Sequence, residues 1–103
     1  MTHVQVQGKY VTDIVEVSPG ILVVASYSDC SYYLIDIEKK SEKYLCKGFS
    51  PYALSLTKFP TFDFEKFPYL LAKEDDYLAI INVRAGLILS LCQAATHNQH
   101  YLN

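Results

Sequence analysis

The chain has no tryptophan, one methionine, four glycines, four prolines and three cysteines in 103 residues. Four scattered glycines form neither a phosphate-cradling loop nor a Gly-x-Ser-x-Gly turn, which removes the sequence basis for a nucleotide loop or a serine-hydrolase elbow. Three cysteines, an odd number with no close pair, speak against a disulfide framework. They predict reduced thiols in the cytoplasm, or in the nucleus. Nine Lys and Arg stand against 11 Asp and Glu, a formal net charge of −2. The chain therefore lacks the basic field that nucleic acid or an anionic membrane selects. The longest apolar runs, such as Ile21 to Ala25 and Tyr77 to Ile81, are strand-length and far too short for a bilayer. The start, Met1 to Gly8, is polar and has no leader character. What remains is an ordinary globular balance, 50% hydrophobic and 19% charged, which argues against disorder and suits one domain with one core.

The sequence resembles itself at a shift of 46 residues, which lays Val24 to Cys46 on Leu70 to Cys92 without a gap. Asp29 falls on Asp75, Ile35 on Ile81, Leu45 on Leu91 and Cys46 on Cys92. Between them the changes are mild, as where Asp36 meets Asn82 and Ile37 meets Val83. A period of roughly 40–50 residues is that of a four-stranded propeller blade.

Local patterns agree with four short strands per unit. The first unit, residues 9–48, reads as Val11 to Val17, the turn Ser18-Pro19-Gly20, the β-branched run Ile21 to Ala25, the polar turn Ser28 to Ser31, then Tyr32 to Ile37. The charged turn Glu38 to Lys43 and a short edge, Tyr44 to Lys47, complete it. The second unit, residues 49–93, reads as Tyr52 to Thr57, Tyr69 to Lys73, Tyr77 to Val83 and Leu87 to Cys92. Its first connection is lengthened by Lys58 to Pro68. Residues 94–103 form a polar tail. Leu87, Ile88, Leu91, Ala94 and Ala95 also fit a helical period. Gly86 at a turn position and the shortness of the aligned segment Lys43 to Gly48 decide for strand. The predicted fold class is all-β: two consecutive four-stranded antiparallel meanders, a partial β-propeller.

With the repeat established, both units resemble WD-repeat blades. Val11 to Ile14 with Ser18-Pro19-Gly20 looks like a first strand and its turn. Ala25 to Asp29 is similar to the second strand and its acidic turn, and Tyr33 to Ile37 to the third strand. Ile35-Asp36 and Ile81-Asn82 stand where that family carries Trp-Asp. The chain departs from the family in having no tryptophan and no Gly-His pair opening a unit, so the family's His, Ser/Thr, Asp and Trp network cannot form in full. The resemblance implies a non-enzymatic scaffold for protein or peptide partners, without a cofactor.

Propellers usually need four to eight blades, and two blades bury one mutual interface while leaving two apolar faces open. The tail ends in mid-pattern at His100 to Asn103, which favours a piece of a longer propeller. The alternatives are completion by copies of the chain, giving a homo-oligomer with a small-ligand pocket between blades, and collapse into a compact β-sandwich.

Candidate sites are few. Cys46 and Cys92, equivalent under the repeat, are both expected to be buried small hydrophobes on a fourth strand. Cys30 sits in a polar turn with nothing cationic beside it to activate the thiol. His3, His97 and His100 have no neighbouring carboxylate or thiolate and read as solvated rather than metal-binding. Glu74-Asp75-Asp76 lacks the alternating ligands and glycine of a calcium loop and reads as a solvated hairpin turn. Partner binding has better material. The turns Ser28 to Ser31 and Glu74 to Tyr77 and the link Lys47 to Tyr52 share one rim of a blade pair. Tyr27, Phe49 and Tyr52 would be aromatic anchors there, with Asp29 and Asp75 at the turns, unless Phe49 and Tyr52 simply pack between blades. On the opposite rim, Phe62 in the Lys58 to Pro68 loop either binds a partner or plugs blade surface.

Overall fold

The computed structural model describes residues 10–27 and 29–93. The histidines and the tail 94–103 lie outside the described residues. The elements are β1 (Val11–Ser18), β2 (Ile21–Ser26), β3 (Ser31–Asp36), β4 (Ser41–Lys47), β5 (Ala53–Lys58), β6 (Tyr69–Glu74), β7 (Tyr77–Asn82) and β8 (Leu87–Gln93). They form two four-stranded antiparallel sheets in chain order, β1-β2-β3-β4 and β5-β6-β7-β8, with no helix among the described residues. The segment after Gly86 is strand, as its turn position requires. Gly86 adopts φ +69°, and a β-carbon there would press on the Leu45 carbonyl at 3.0 Å. A side chain would thus be both strained and crowded at this turn.

The repeat holds in the pairing register, with one refinement. Tyr33 faces Tyr44 and Ala79 faces Ser90, so β3-β4 and β7-β8 correspond at a shift of 46. Both pairs carry a bulge at the same place, between Tyr32 and Tyr33 and between Leu78 and Ala79. Val23 faces Leu34 whereas Leu71 faces Ile80, so β2 and β6 correspond at 48. Ile14 faces Val24 and Leu56 faces Ala72, which sets β1 and β5 at 42. The gapless alignment therefore breaks at the turn, because the connection from Ser26 to Ser31 is two residues longer than that from Glu74 to Tyr77. A difference of two leaves each side chain on its own side of the pleat.

That parity shows how the sheets stack. Val23, Ala25 and Tyr32 of the first sheet pack with Leu70, Ala72 and Ile81 of the second in one core. The counterparts of the first set are Leu71, Lys73 and Leu78, on the far side of the second sheet. The counterparts of the second set are Leu22, Val24 and Ile35, on the far side of the first. Each sheet thus uses a different face toward its neighbour, and the two succeed one another in the same sense, as blades of an unclosed propeller do. β1 lies beside β5, and β4 reaches β8. Two polar bonds fix the β1-β5 contact. Thr12 Oγ1 donates to the Ala53 carbonyl at 3.2 Å, and the Leu56 amide donates to Asp13 Oδ2 at 2.7 Å. Both side chains sit at the irregularity between Val11 and Asp13, where a bulge re-aims them.

Three expectations are corrected. Cys46 is buried but Cys92 is exposed. They occupy equivalent positions on the same side of the pleat, and only in the first sheet is that side covered, by the second sheet. Leu45 and Leu91 differ in the same way. The outer faces are also unequal: Val24, Tyr33 and Ile35, on the far side of the first sheet, are buried, whereas Leu87 and Leu89 on the far side of the second are 65% and 66% exposed. Finally, Glu74 is not a solvated turn residue. It ends β6 and is 1% exposed.

Candidate functional site

The alternation of β6 turns Leu70, Ala72 and Glu74 toward the first sheet. The last of these carries a carboxylate into the seam between the sheets. Burying such a charge costs several kcal/mol by typical magnitudes unless its oxygens are satisfied. Here they are. The Phe49 and Ser50 amides donate to Oε1 at 2.9 and 3.0 Å, and the Tyr32 hydroxyl donates to Oε2 at 2.7 Å. The Cys30 thiol is a further hydrogen-bonding neighbour. Gly48 makes the arrangement fit, since a β-carbon there would overlap both the Glu74 carboxylate and Cys30 Sγ. Cys30 itself adopts φ 46°, and its carbonyl accepts the Gly48 amide at 2.7 Å.

This buried bond set ties three segments into one rim: the β2-β3 turn, the link 48–52 and the β6-β7 turn. The Asp75 amide donates to the Tyr52 carbonyl and the Asp76 amide to Ser50 Oγ, both at 3.0 Å. Above the rigid floor lies an aromatic surface. Tyr27 and Tyr52 stack with ring centroids 4.8 Å apart and planes 18° from parallel. Phe49 packs beside Tyr77 at 5.5 Å. Tyr27, Tyr52 and Phe49 remain 37%, 41% and 45% exposed.

The structure brings together Tyr27, Phe49, Tyr52 and Asp75 on this rim, with Asp29 beside them. Asp29 is half-buried and braces its turn. Its carboxylate accepts the Ser26 hydroxyl at Oδ1 and the Tyr33 hydroxyl at Oδ2, the latter at 3.4 Å. Asp75 is exposed. Phe62 lies apart from them, at the opposite end. With Phe64 it packs against the main core from the loop between β5 and β6, the plugging arrangement. Arg84 clamps that loop by stacking over Phe64 at 5.6 Å and pairing with Glu65.

Burial, followed by the charge of Glu74, pushes the Cys30 and Cys46 thiols up to about 12. Burial and the hydrogen bond to Glu74 push the Tyr32 phenol up as well. No group of three or more His, Cys, Asp or Glu able to hold a metal ion occurs among the described residues. Among the described residues no helix is long and apolar enough to cross a membrane. Reading residues as a sequence missed Glu74, Tyr32 and Gly48 as one unit. A signal for Glu74 existed: the apolar alternation Leu70, Ala72 extends to it if β6 is read one residue past Lys73.

Comparison with known proteins gives no match to any family profile, any curated protein or any solved structure.

Proposed function

We propose that this chain is a non-enzymatic protein-interaction scaffold built of two WD-like propeller blades, and that its aromatic rim holds a peptide segment of a protein partner. The observation that carries this reading is the exposed Tyr27-Tyr52 stack with Phe49-Tyr77 beside it, standing on a hydrogen-bonded floor. Tyrosine and other aromatics supply large contact area with few rotatable bonds, and they dominate interface energetics. A rim fixed by the Glu74 bonds loses little entropy on binding. The composition and the free thiols support a cytoplasmic or nuclear setting, without nucleic acid or membrane as ligand.

The test is selection from a random peptide library on the immobilised chain, followed by affinity measurement with Tyr27→Ala and Tyr52→Ala. Loss of roughly tenfold or more for each variant is expected, about 1.4 kcal/mol per tenfold. Failure to select any peptide, or ligands that bind both variants unchanged, would overturn the reading.

A further inference from the structure

The two ends of the sheets differ in charge. At the rim, the connections 27–30, 48–52 and 75–76 contain Asp29, Asp75 and Asp76 and no Lys or Arg. Connections at the opposite end carry Glu38, Asp63 and Glu65, met by Lys39, Lys40, Lys66 and Arg84. Two of those acids also serve the chain itself. Asp63 accepts the Glu65 and Lys66 amides, both at 2.9 Å, and Glu65 pairs with Arg84. The carboxylates of Asp75 and Asp76 do neither. Their backbone amides are tied to the link that carries the rings, Asp75 at the Tyr52 carbonyl and Asp76 at Ser50 Oγ. Among the described residues neither carboxylate takes part in a hydrogen bond or an ion pair. Two adjacent like charges therefore stand unpaired beside the Tyr27-Tyr52 stack. Lys47 closes β4 next to the rim, where the buried Glu74 offsets it, and Lys73 lies on the far side of the second sheet.

We infer that the peptide held by the rim is basic and is anchored there by an arginine; this rests on the rim reading above and adds the partner's chemistry. A guanidinium laid against the tyrosine rings gains from their negatively polarised faces. Its planar fork can donate two parallel bonds to one carboxylate, and Asp75 offers that carboxylate on the residue bonded to Tyr52. A lysine ammonium brings the same charge without the fork or the flat surface, so it binds more weakly. An acidic segment would set like charge against like. An uncharged one would cover Asp75 and Asp76 without a counter-charge, at a desolvation cost.

Fluorescence anisotropy on the full chain tests this with labelled peptides in which serine alternates with arginine, lysine, glutamine or glutamate. The arginine peptide should bind roughly tenfold tighter than the glutamine peptide and several-fold tighter than the lysine peptide, with no binding of the glutamate peptide. Raising salt from about 50 mM to about 500 mM should weaken it, because the charges lie at the surface. The double variant Asp75→Asn, Asp76→Asn should lose roughly tenfold in affinity for the arginine peptide. Glu38→Gln with Glu42→Gln, the same change of net charge at exposed positions of the opposite end, should leave that affinity unchanged. Equal losses from the two double variants would reduce the binding to attraction by net charge and overturn the inference. So would a glutamine peptide that binds as tightly as the arginine peptide, or equal affinity for arginine and lysine. Library-selected peptides that carry no basic residue, need Tyr27 and Tyr52 and ignore the Asp75, Asp76 pair would sink this inference alone and leave the rim reading standing. Arginine-peptide binding that Tyr27→Ala and Tyr52→Ala leave untouched would instead overturn the rim reading, and the stacked arginine with it.

Discussion

The Tyr32 hydroxyl meets Glu74 Oε2 at 2.7 Å, joining β3 of one sheet to β6 of the other across 42 residues of sequence. A hydrogen bond to a buried charged acceptor contributes about 1.5–3 kcal/mol. Tyr32→Phe should lose about that amount in urea unfolding. Glu74→Gln should lose at least as much, because its amide nitrogen must face either the Tyr32 hydroxyl or the two amides that now donate to Oε1. Stabilities equal to the wild type would show that the carboxylate is not what holds the seam.

Gly48→Ala should destabilise by about 1–3 kcal/mol, the usual range for overpacking. The added methyl overlaps the Glu74 carboxylate and Cys30 Sγ, and both are held by other bonds. Thermal melts of this variant beside Glu74→Gln would show whether the two losses overlap. Additive losses in the double variant would mean that Gly48 acts elsewhere.

Ile81 is fully buried and Ile35 nearly so. They stand at equivalent points of β7 and β3. Aspartate at either position buries an unpaired charge, whose cost is comparable with the 5–15 kcal/mol stability typical of a whole domain. Ile35→Asp and Ile81→Asp should both abolish the cooperative melt. A normal melt for either would contradict the strand register.

Alkaline pH should destabilise the fold in a defined window. The folded-state values of Cys30 and Cys46 are pushed up from the usual thiol value of 9.0 to about 12. Their contribution is thus complete below pH 9. Above it the unfolded chain releases thiol protons that the folded chain retains, and stability falls as pH climbs toward 12. Melting temperature in that window should drop less for Cys46→Ala, compared with that variant's own value at pH 8, than for the wild type.

Alkylation at pH 8 separates the three cysteines by burial. Cys92 is exposed and should react within the dead time of mass-spectrometric sampling, while Cys30 and Cys46 react only as fast as the chain opens. Equal labelling of all three would mean that the seam is open in solution.

Much of the architecture was legible because strands announce themselves locally. The β-branched run of β2, the Ser18-Pro19-Gly20 turn and Gly86 before β8 each constrain their own neighbourhood, and the repeat multiplies the signal. Cys92 shows the limit: its pattern is that of Cys46, yet its exposure depends on whether another sheet lies above it. Glu74 shows another. A short acidic run between two strands reads as solvated, and only the link 48–50 passing beneath β6 turns one of its carboxylates into a buried acceptor. Asp29 and Asp75 aligned in sequence, but a two-residue difference in turn length gave one a bracing role and left the other exposed.

Alternating apolar residues and turn chemistry were enough to settle that the described residues make eight short strands in two similar groups, since each strand's two faces are encoded within a handful of neighbouring residues. Which face of each sheet is covered, and where the lone buried carboxylate finds its donors, were decided only by the packing of one sheet on the other. Burial and hydrogen-bond satisfaction depend on atoms far away along the chain, and no local pattern carries that information.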